Sequence, residues 1–145
     1  MNTTTLRVPR VPRLARLLVL LAVLLVTSLA HAGSYLDRAA LLLGEARRGN
    51  EWVLSHLGDK ELALVAHTMA EARVRAAQKM AVPKEVAGMH PHLLLALESS
   101  ERAAAAASEG ENEKFLHHLR IARDEESAFR GLLAQQKLSL PSVGK

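Results

Sequence analysis

The sequence contains no cysteine. This absence excludes disulfide bonds, thiolate metal sites, thiol catalysis and covalent haem attachment. If the protein works in an oxidising compartment, side-chain packing alone must therefore hold its fold together.

Other features are scarce as well. Aromatic residues make up only 3% of the chain, so a core must consist mainly of leucine, alanine and valine. There are no alternating β-branched runs typical of strands, no glycine-rich phosphate loop and no nucleophile elbow. The acidic run Asp124–Glu126 lies among arginines at the spacing of ion pairs on a solvated helix face. We therefore expect a protein that is not an enzyme.

The amino terminus predicts a secretory leader. Residues 1–16 carry four arginines and no acidic residue, residues 17–26 are apolar, and the small-residue sequence Ala30-His31-Ala32 follows. A basic segment, an apolar segment and an A-x-A site are the three parts of a signal peptide. The apolar segment is shorter than the roughly 20 residues of a membrane span. We predict that residues 1–32 are cleaved off after Ala32; the alternative is a retained membrane anchor.

Leader cleavage changes the charge balance. The whole chain has a net charge of +4, with 19 basic and 15 acidic residues. The excess comes from the leader arginines Arg7, Arg10, Arg13 and Arg16, so residues 33–145 hold equal numbers of both signs. A basic surface for nucleic acid or anionic lipid is therefore not expected. We predict an exported protein, periplasmic or extracellular, with no nucleic-acid partner and no stable membrane insertion after cleavage.

Helical periodicity fills the rest of the chain. The predicted fold is all-α, an antiparallel bundle of two helix hairpins with about four helices, over residues 33–137. Residues 138–145 are predicted to form a flexible tail. The expected helix boundaries, from capping residues, glycine and proline, are Ser34, Gly49-Asn50, Gly58-Asp59, Val82-Pro83, Pro91, Gly110, Asn112 and Gln136.

Apolar stripes predict which faces are buried. The second helix carries its stripe on Leu62, Val65, Met69, Ala72 and Ala76, and we predict Val65, Met69, Leu119 and Phe129 as core residues. Leucines 41–43 give the first helix apolar groups on more than one face, for which we favour a core over a docking interpretation. The alanine run 103–107 suits either a close contact within the chain or a self-association face.

Two segments resemble each other. Residues 50–57 read NEWVLSHL and residues 112–119 read NEKFLHHL. Asparagine would cap a helix in each, and the apolar positions would face a neighbouring helix. A duplicated helical hairpin, a coincidence and a functional signature are the interpretations that the sequence leaves open.

Histidine is the main candidate for chemistry. The segment MHPH places Met89, His90 and His92 together, and imidazole with thioether is a ligand set that copper accepts. The alternative to metal binding is a solvent-exposed histidine pair on a linker. His67 and Glu71 share a helix face, but the Glu-x-x-His pairs of di-iron bundles are missing.

The sequence therefore predicts a non-enzymatic helical bundle of the cell envelope that acts as a protein-interaction or scaffolding module. Its partner would be another protein or a second copy of the chain, with no cofactor. The alternative is a copper- or zinc-binding protein that uses Met89, His90 and His92.

Overall fold

A computed structural model describes the backbone of residues 13–142 and the side chains of residues 33–142. This backbone forms four α-helices and one short 3-10 helix: α1 Arg13–Ser55, α2 Lys60–Gln78, the 3-10 turn Lys84–Val86, α3 His90–Glu109 and α4 Asn112–Gln135. The described residues contain no strand, which confirms the all-α prediction. The predicted leader, residues 1–32, lies outside the residues whose side chains are described.

Helix α3 is the centre of the bundle, with α2 and α4 packed on it and α1 lying across α2 and α3. The Lys60 ammonium at the start of α2 donates to the carbonyl of Glu109 at the end of α3, 3.0 Å away. The Tyr35 hydroxyl on α1 lies 3.0 Å from His90 Nδ1 at the start of α3. Hence α2 runs antiparallel to α3, whereas α1 runs parallel to it.

Three predicted helix boundaries are confirmed by their local geometry. The Asp59 carboxylate accepts a hydrogen bond from the Leu62 backbone N–H at 3.0 Å and so caps α2. Gly58 and Gly110 end the preceding helices with φ of 105° and 86°, backbone angles that favour glycine. Between α2 and α3, after the predicted boundary at Val82-Pro83, the chain forms the 3-10 helix.

The predicted break at Gly49-Asn50 is wrong, because α1 continues to Ser55. Gly49 lies against α2, where the Arg73 guanidinium is 3.2 Å from the position a Cβ would take. The buried Asn50 amide donates to the Ser100 hydroxyl on α3 at 3.0 Å. These contacts across the bundle outweigh the weak local tendency of glycine and asparagine to end a helix.

The core consists of two clusters. The larger contains Phe129 and Tyr35, and the smaller contains Phe115 with Val53. Phe129 is fully buried and Leu119 is buried beside Phe115, which confirms the prediction that both are core residues.

The core prediction for α2 is wrong. Val65 is 54% exposed and Met69 is 53% exposed. The buried face of α2 is instead formed by Ala63, Ala66, Ala70 and Ala77. Helices whose meeting faces carry only methyl groups approach each other closely, so the alanine face packs against the bundle and the larger side chains point outward.

The alanine run on α3 lies within the core. Ala103, Ala104, Ala106 and Ala107 are buried, and they pack in the smaller cluster with Phe115. This answers the open question about the run, because its alanines serve a contact within the chain.

The leucines of the first helix divide between core and surface. Leu43 is buried and Leu42 packs partly against the larger cluster, whereas Leu41 is exposed. The favoured core interpretation therefore holds for two of the three.

The two similar octapeptides occupy different places in the fold. Residues 50–57 lie at the end of α1 and enter the following turn, whereas residues 112–119 open α4. Val53 and Phe115 are both buried in the smaller cluster, but Leu57 is exposed where Leu119 is buried. Equivalent letters therefore do not take equivalent positions, which counts against a duplicated hairpin and leaves coincidence and a functional signature as interpretations.

The chain turns sharply after α4. Lys137 adopts a left-handed conformation with φ of 57°, and the Leu138 N–H donates to the Leu133 carbonyl at 2.9 Å. This is the hydrogen bond of a Schellman cap. Leu138 and Leu140 then pack partly against the larger cluster.

Among the residues with described side chains, no helix combines the length and the hydropathy of a membrane span.

Candidate functional site

The outward stripe of α2 is the most distinctive surface of the bundle. Val65, Met69, Ala72 and Ala76 are exposed along it, and Leu62 at its start is partly buried. The intervals alternate between three and four residues, which is the a/d pattern of a coiled-coil seam. An apolar seam of this kind normally lies against another helix, yet within the described chain it faces outward.

Charged residues border this stripe. Glu61 and Arg75 occupy positions beside the seam, and both are exposed. Arg75 has only a loose ion pair with Glu71, at 3.5 Å, and Glu61 has none among the described side chains. Both charges beside the seam are therefore largely free to pair with another chain.

A groove of about 410 Å³ lies between α1 and α4, with α3 as its floor. The Arg47 and Arg130 guanidiniums both bind the Glu126 carboxylate, and the Asn50–Ser100 hydrogen bond lies at the floor. No histidine lines this groove. The groove is therefore crossed by an ion-pair cluster between α1 and α4 and by a hydrogen bond between α1 and α3.

The structure gives the three predicted metal ligands at the start of α3 different surroundings. The Met89 side chain is buried in the larger core cluster. His90 Nδ1 is hydrogen-bonded to the Tyr35 hydroxyl at 3.0 Å, whereas His92 Nδ1 lies 2.6 Å from Glu125 Oε2 on α4. A metal held by all three residues would have to displace these interactions, and metal binding there stays a prediction.

Burial shifts the pKa values of Tyr35 and His90, which meet at the start of α3. It raises the pKa of Tyr35 to about 12 and lowers the pKa of His90. Both groups are therefore neutral at pH 7, and their rings meet edge to face with centroids 5.8 Å apart. The pair fixes α1 to α3 and has the properties of a structural contact.

A second histidine cluster lies across α2 and α3. His67 Nε2 is 2.6 Å from Glu101 Oε1 and 3.8 Å from Glu71 Oε1. The three residues are partly buried, and their ligand atoms all lie within 4.8 Å of one another. The sequence pairs His67 with Glu71 by their spacing, but it gives no signal for Glu101, which comes from a different helix.

A further imidazole, His118 on α4, interacts with this cluster electrostatically. Its pKa is lowered by partial burial and by the positive charges of His117, Arg102 and Lys114, and the Glu101 carboxylate opposes that effect. Glu101 thus acts on imidazoles from both helices that flank α3.

The described surface therefore offers an apolar seam on α2, a charged groove between α1 and α4, and a histidine–glutamate cluster across α2 and α3. No protein-family model matches the chain, and neither a curated protein nor a solved structure shows significant similarity to it.

Proposed function

We propose that the chain is an exported, non-enzymatic protein of the cell envelope that acts as an interaction or scaffolding module by pairing with a second copy of itself through α2. The observation that carries this proposal is the heptad-spaced apolar stripe, whose residues Val65 and Met69 are each more than half exposed. Leaving such a seam in water costs free energy that helix pairing recovers.

Side-chain size favours an antiparallel pair of α2 helices. If the pair is centred on Met69, the start of one helix lies beside the end of the other. Val65 then faces Ala72 of the second copy, and Leu62 faces Ala76. Each large side chain meets a small one, which is the arrangement that fills a helix interface without voids.

The charges beside the seam fit the same arrangement. In an antiparallel pair, Glu61 of one copy lies beside Arg75 of the other, on the flank of the seam where interhelical ion pairs set orientation. In a parallel pair this flank of each helix would face the opposite flank of the other, so Glu61 and Arg75 would not meet. The charge pattern therefore supports a second copy of this chain as the occupant.

Export is supported by the order of basic, apolar and small residues in the first 32 positions. We expect intact-mass measurement of the exported protein to give a chain that begins at Gly33. Recovery of residues 1–32 in the exported fraction would show that the leader is retained, and the proposal would then become that of an anchored module.

Met69→Glu should weaken self-association by at least about tenfold. Met69 lies at the centre of the antiparallel pair, so the variant brings two carboxylates together in an apolar seam, where unpaired charge is costly. The dissociation constant is measured by sedimentation velocity over a concentration series of the chain as the cell processes it.

Leu64→Glu is the matched control. Leu64 is 56% exposed on the same helix but lies about 100° around the helix from Val65, off the seam. This variant should associate like the parent chain. A parent chain that is monomeric at every concentration, or equal effects of the two variants, would overturn pairing through α2.

Charge exchange tests the orientation. Glu61→Arg and Arg75→Glu should each weaken the dimer, and combining them should restore it, because the antiparallel ion pair is then rebuilt with its charges exchanged. If the double variant were weakened by the sum of the two single effects, the antiparallel arrangement would be wrong. Pairing through the seam would still be tested separately by Met69→Glu.

A further inference from the structure

We propose that His67, Glu71 and Glu101 form a zinc-binding site. This site is distinct from the apolar seam, because His67 lies about 200° around α2 from both Val65 and Met69. It does not depend on self-association.

The geometry of the cluster suits a tetrahedral metal. Zinc binds imidazole nitrogen and carboxylate oxygen at about 2.0–2.2 Å, so neighbouring ligand atoms in a tetrahedron lie about 3.4 Å apart. His67 Nε2 lies 2.6 Å from Glu101 Oε1 and 3.8 Å from Glu71 Oε1. Side-chain movements of less than about 1 Å would bring both distances to the zinc value, well within what rotamer adjustment allows.

The charges favour a cation at this point. Two carboxylates from different helices converge on one imidazole nitrogen, and Glu101 has no lysine or arginine partner among the described side chains. The cationic neighbour of Glu71, Arg75, is exposed and 3.5 Å away. A divalent ion would neutralise both carboxylates and take the place of the hydrogen bond between His67 Nε2 and Glu101, with the imidazole N–H on Nδ1.

The donor set selects zinc over the hard cations. Calcium and magnesium prefer sites made only of oxygen ligands, whereas zinc accepts mixed imidazole and carboxylate donors. Three protein ligands leave a fourth position for water. The side chains of Glu71 and Glu101 come from α2 and α3, so a bound ion would also cross-link these two helices.

Zinc chloride titrated into the chain by calorimetry tests the site. We expect one zinc ion per chain, and we expect His67→Ala and Glu101→Gln each to lower the affinity by at least about tenfold, because loss of an outer-shell partner alone costs 10–100-fold. Glu101→Gln keeps the shape and the hydrogen-bond acceptor toward His67, so it remains folded even if His67→Ala does not. Zinc should also raise the melting temperature of the parent chain but not of Glu101→Gln.

The double variant His90→Ala, His92→Ala is the matched control, because it removes two imidazoles from the first turn of α3 and leaves the cluster intact. It should bind zinc like the parent chain. Loss of binding in this variant with retention in Glu101→Gln would overturn the proposal in favour of Met89, His90 and His92. Absence of binding tighter than about 100 μM, or equal binding of calcium, would also overturn it.

Discussion

Replacing Phe129 by alanine is expected to lower the free energy of unfolding by about 3–5 kcal/mol. Phe129 on α4 is fully buried in the larger cluster, among side chains from α1 and α3. Its removal forfeits the transfer free energy of the ring and leaves a cavity that helices held at several other points cannot close. Urea unfolding followed by circular dichroism measures the loss as a lower midpoint at unchanged slope.

Leu116→Ala serves as the control on the same helix. Leu116 is 47% exposed, so its truncation should change stability by less than about 0.5 kcal/mol. If both variants had the same small effect, α4 would not pack by the face that carries Phe129, and the arrangement of the bundle would be wrong.

Helix boundaries were predictable where local chemistry decides them. Asp59 caps α2 with its own carboxylate, and Gly110 ends α3 through its positive φ; neither needs a distant contact. Gly49 and Asn50 carry the same kind of signal, yet α1 runs through them because Asn50 meets Ser100, fifty residues away. A capping residue indicates a possible end, and the packing of the bundle decides whether it is used.

The orientation of α2 shows a second limit. Its sequence has two faces without charge, one of alanines and one that carries Val65 and Met69, and periodicity favours the face with more apolar area. The structure buries the alanine face. A hydrophobic stripe therefore predicts that a helix face is covered by another helix. It does not predict whether that helix belongs to the same chain. The misassigned stripe is also the observation on which the proposed self-association rests.

The candidate sites follow the same logic. His67 and Glu71 could be paired from their spacing, but Glu101 joins them only because α2 and α3 run antiparallel side by side. His90 and His92 are close in sequence, and both belong to the first turn of α3. Two residues apart on a helix means about 200° of rotation, so these imidazoles point in different directions and find different partners.

Replacing Ala103 by leucine is expected to cost about 3 kcal/mol of stability. Ala103 is fully buried in the smaller cluster, where α3 carries a run of alanines. Leucine adds three carbon atoms at a point where the helices approach closely, so either the backbones must separate or the side chain must leave its preferred rotamer. Since alanine and leucine have similar helix propensities, the loss reports packing rather than helix formation.

Ala105→Leu provides the comparison, because Ala105 lies in the same run but is only partly buried. Leucine there can extend toward solvent, and we expect a change below about 1 kcal/mol in thermal or urea unfolding. If Ala103→Leu left stability intact but altered the sedimentation of the chain, the alanine run would be a face between copies instead of a contact within one. Self-association through α2 predicts the opposite pattern: Ala103→Leu lowers stability without changing the oligomeric state, whereas Met69→Glu changes the oligomeric state.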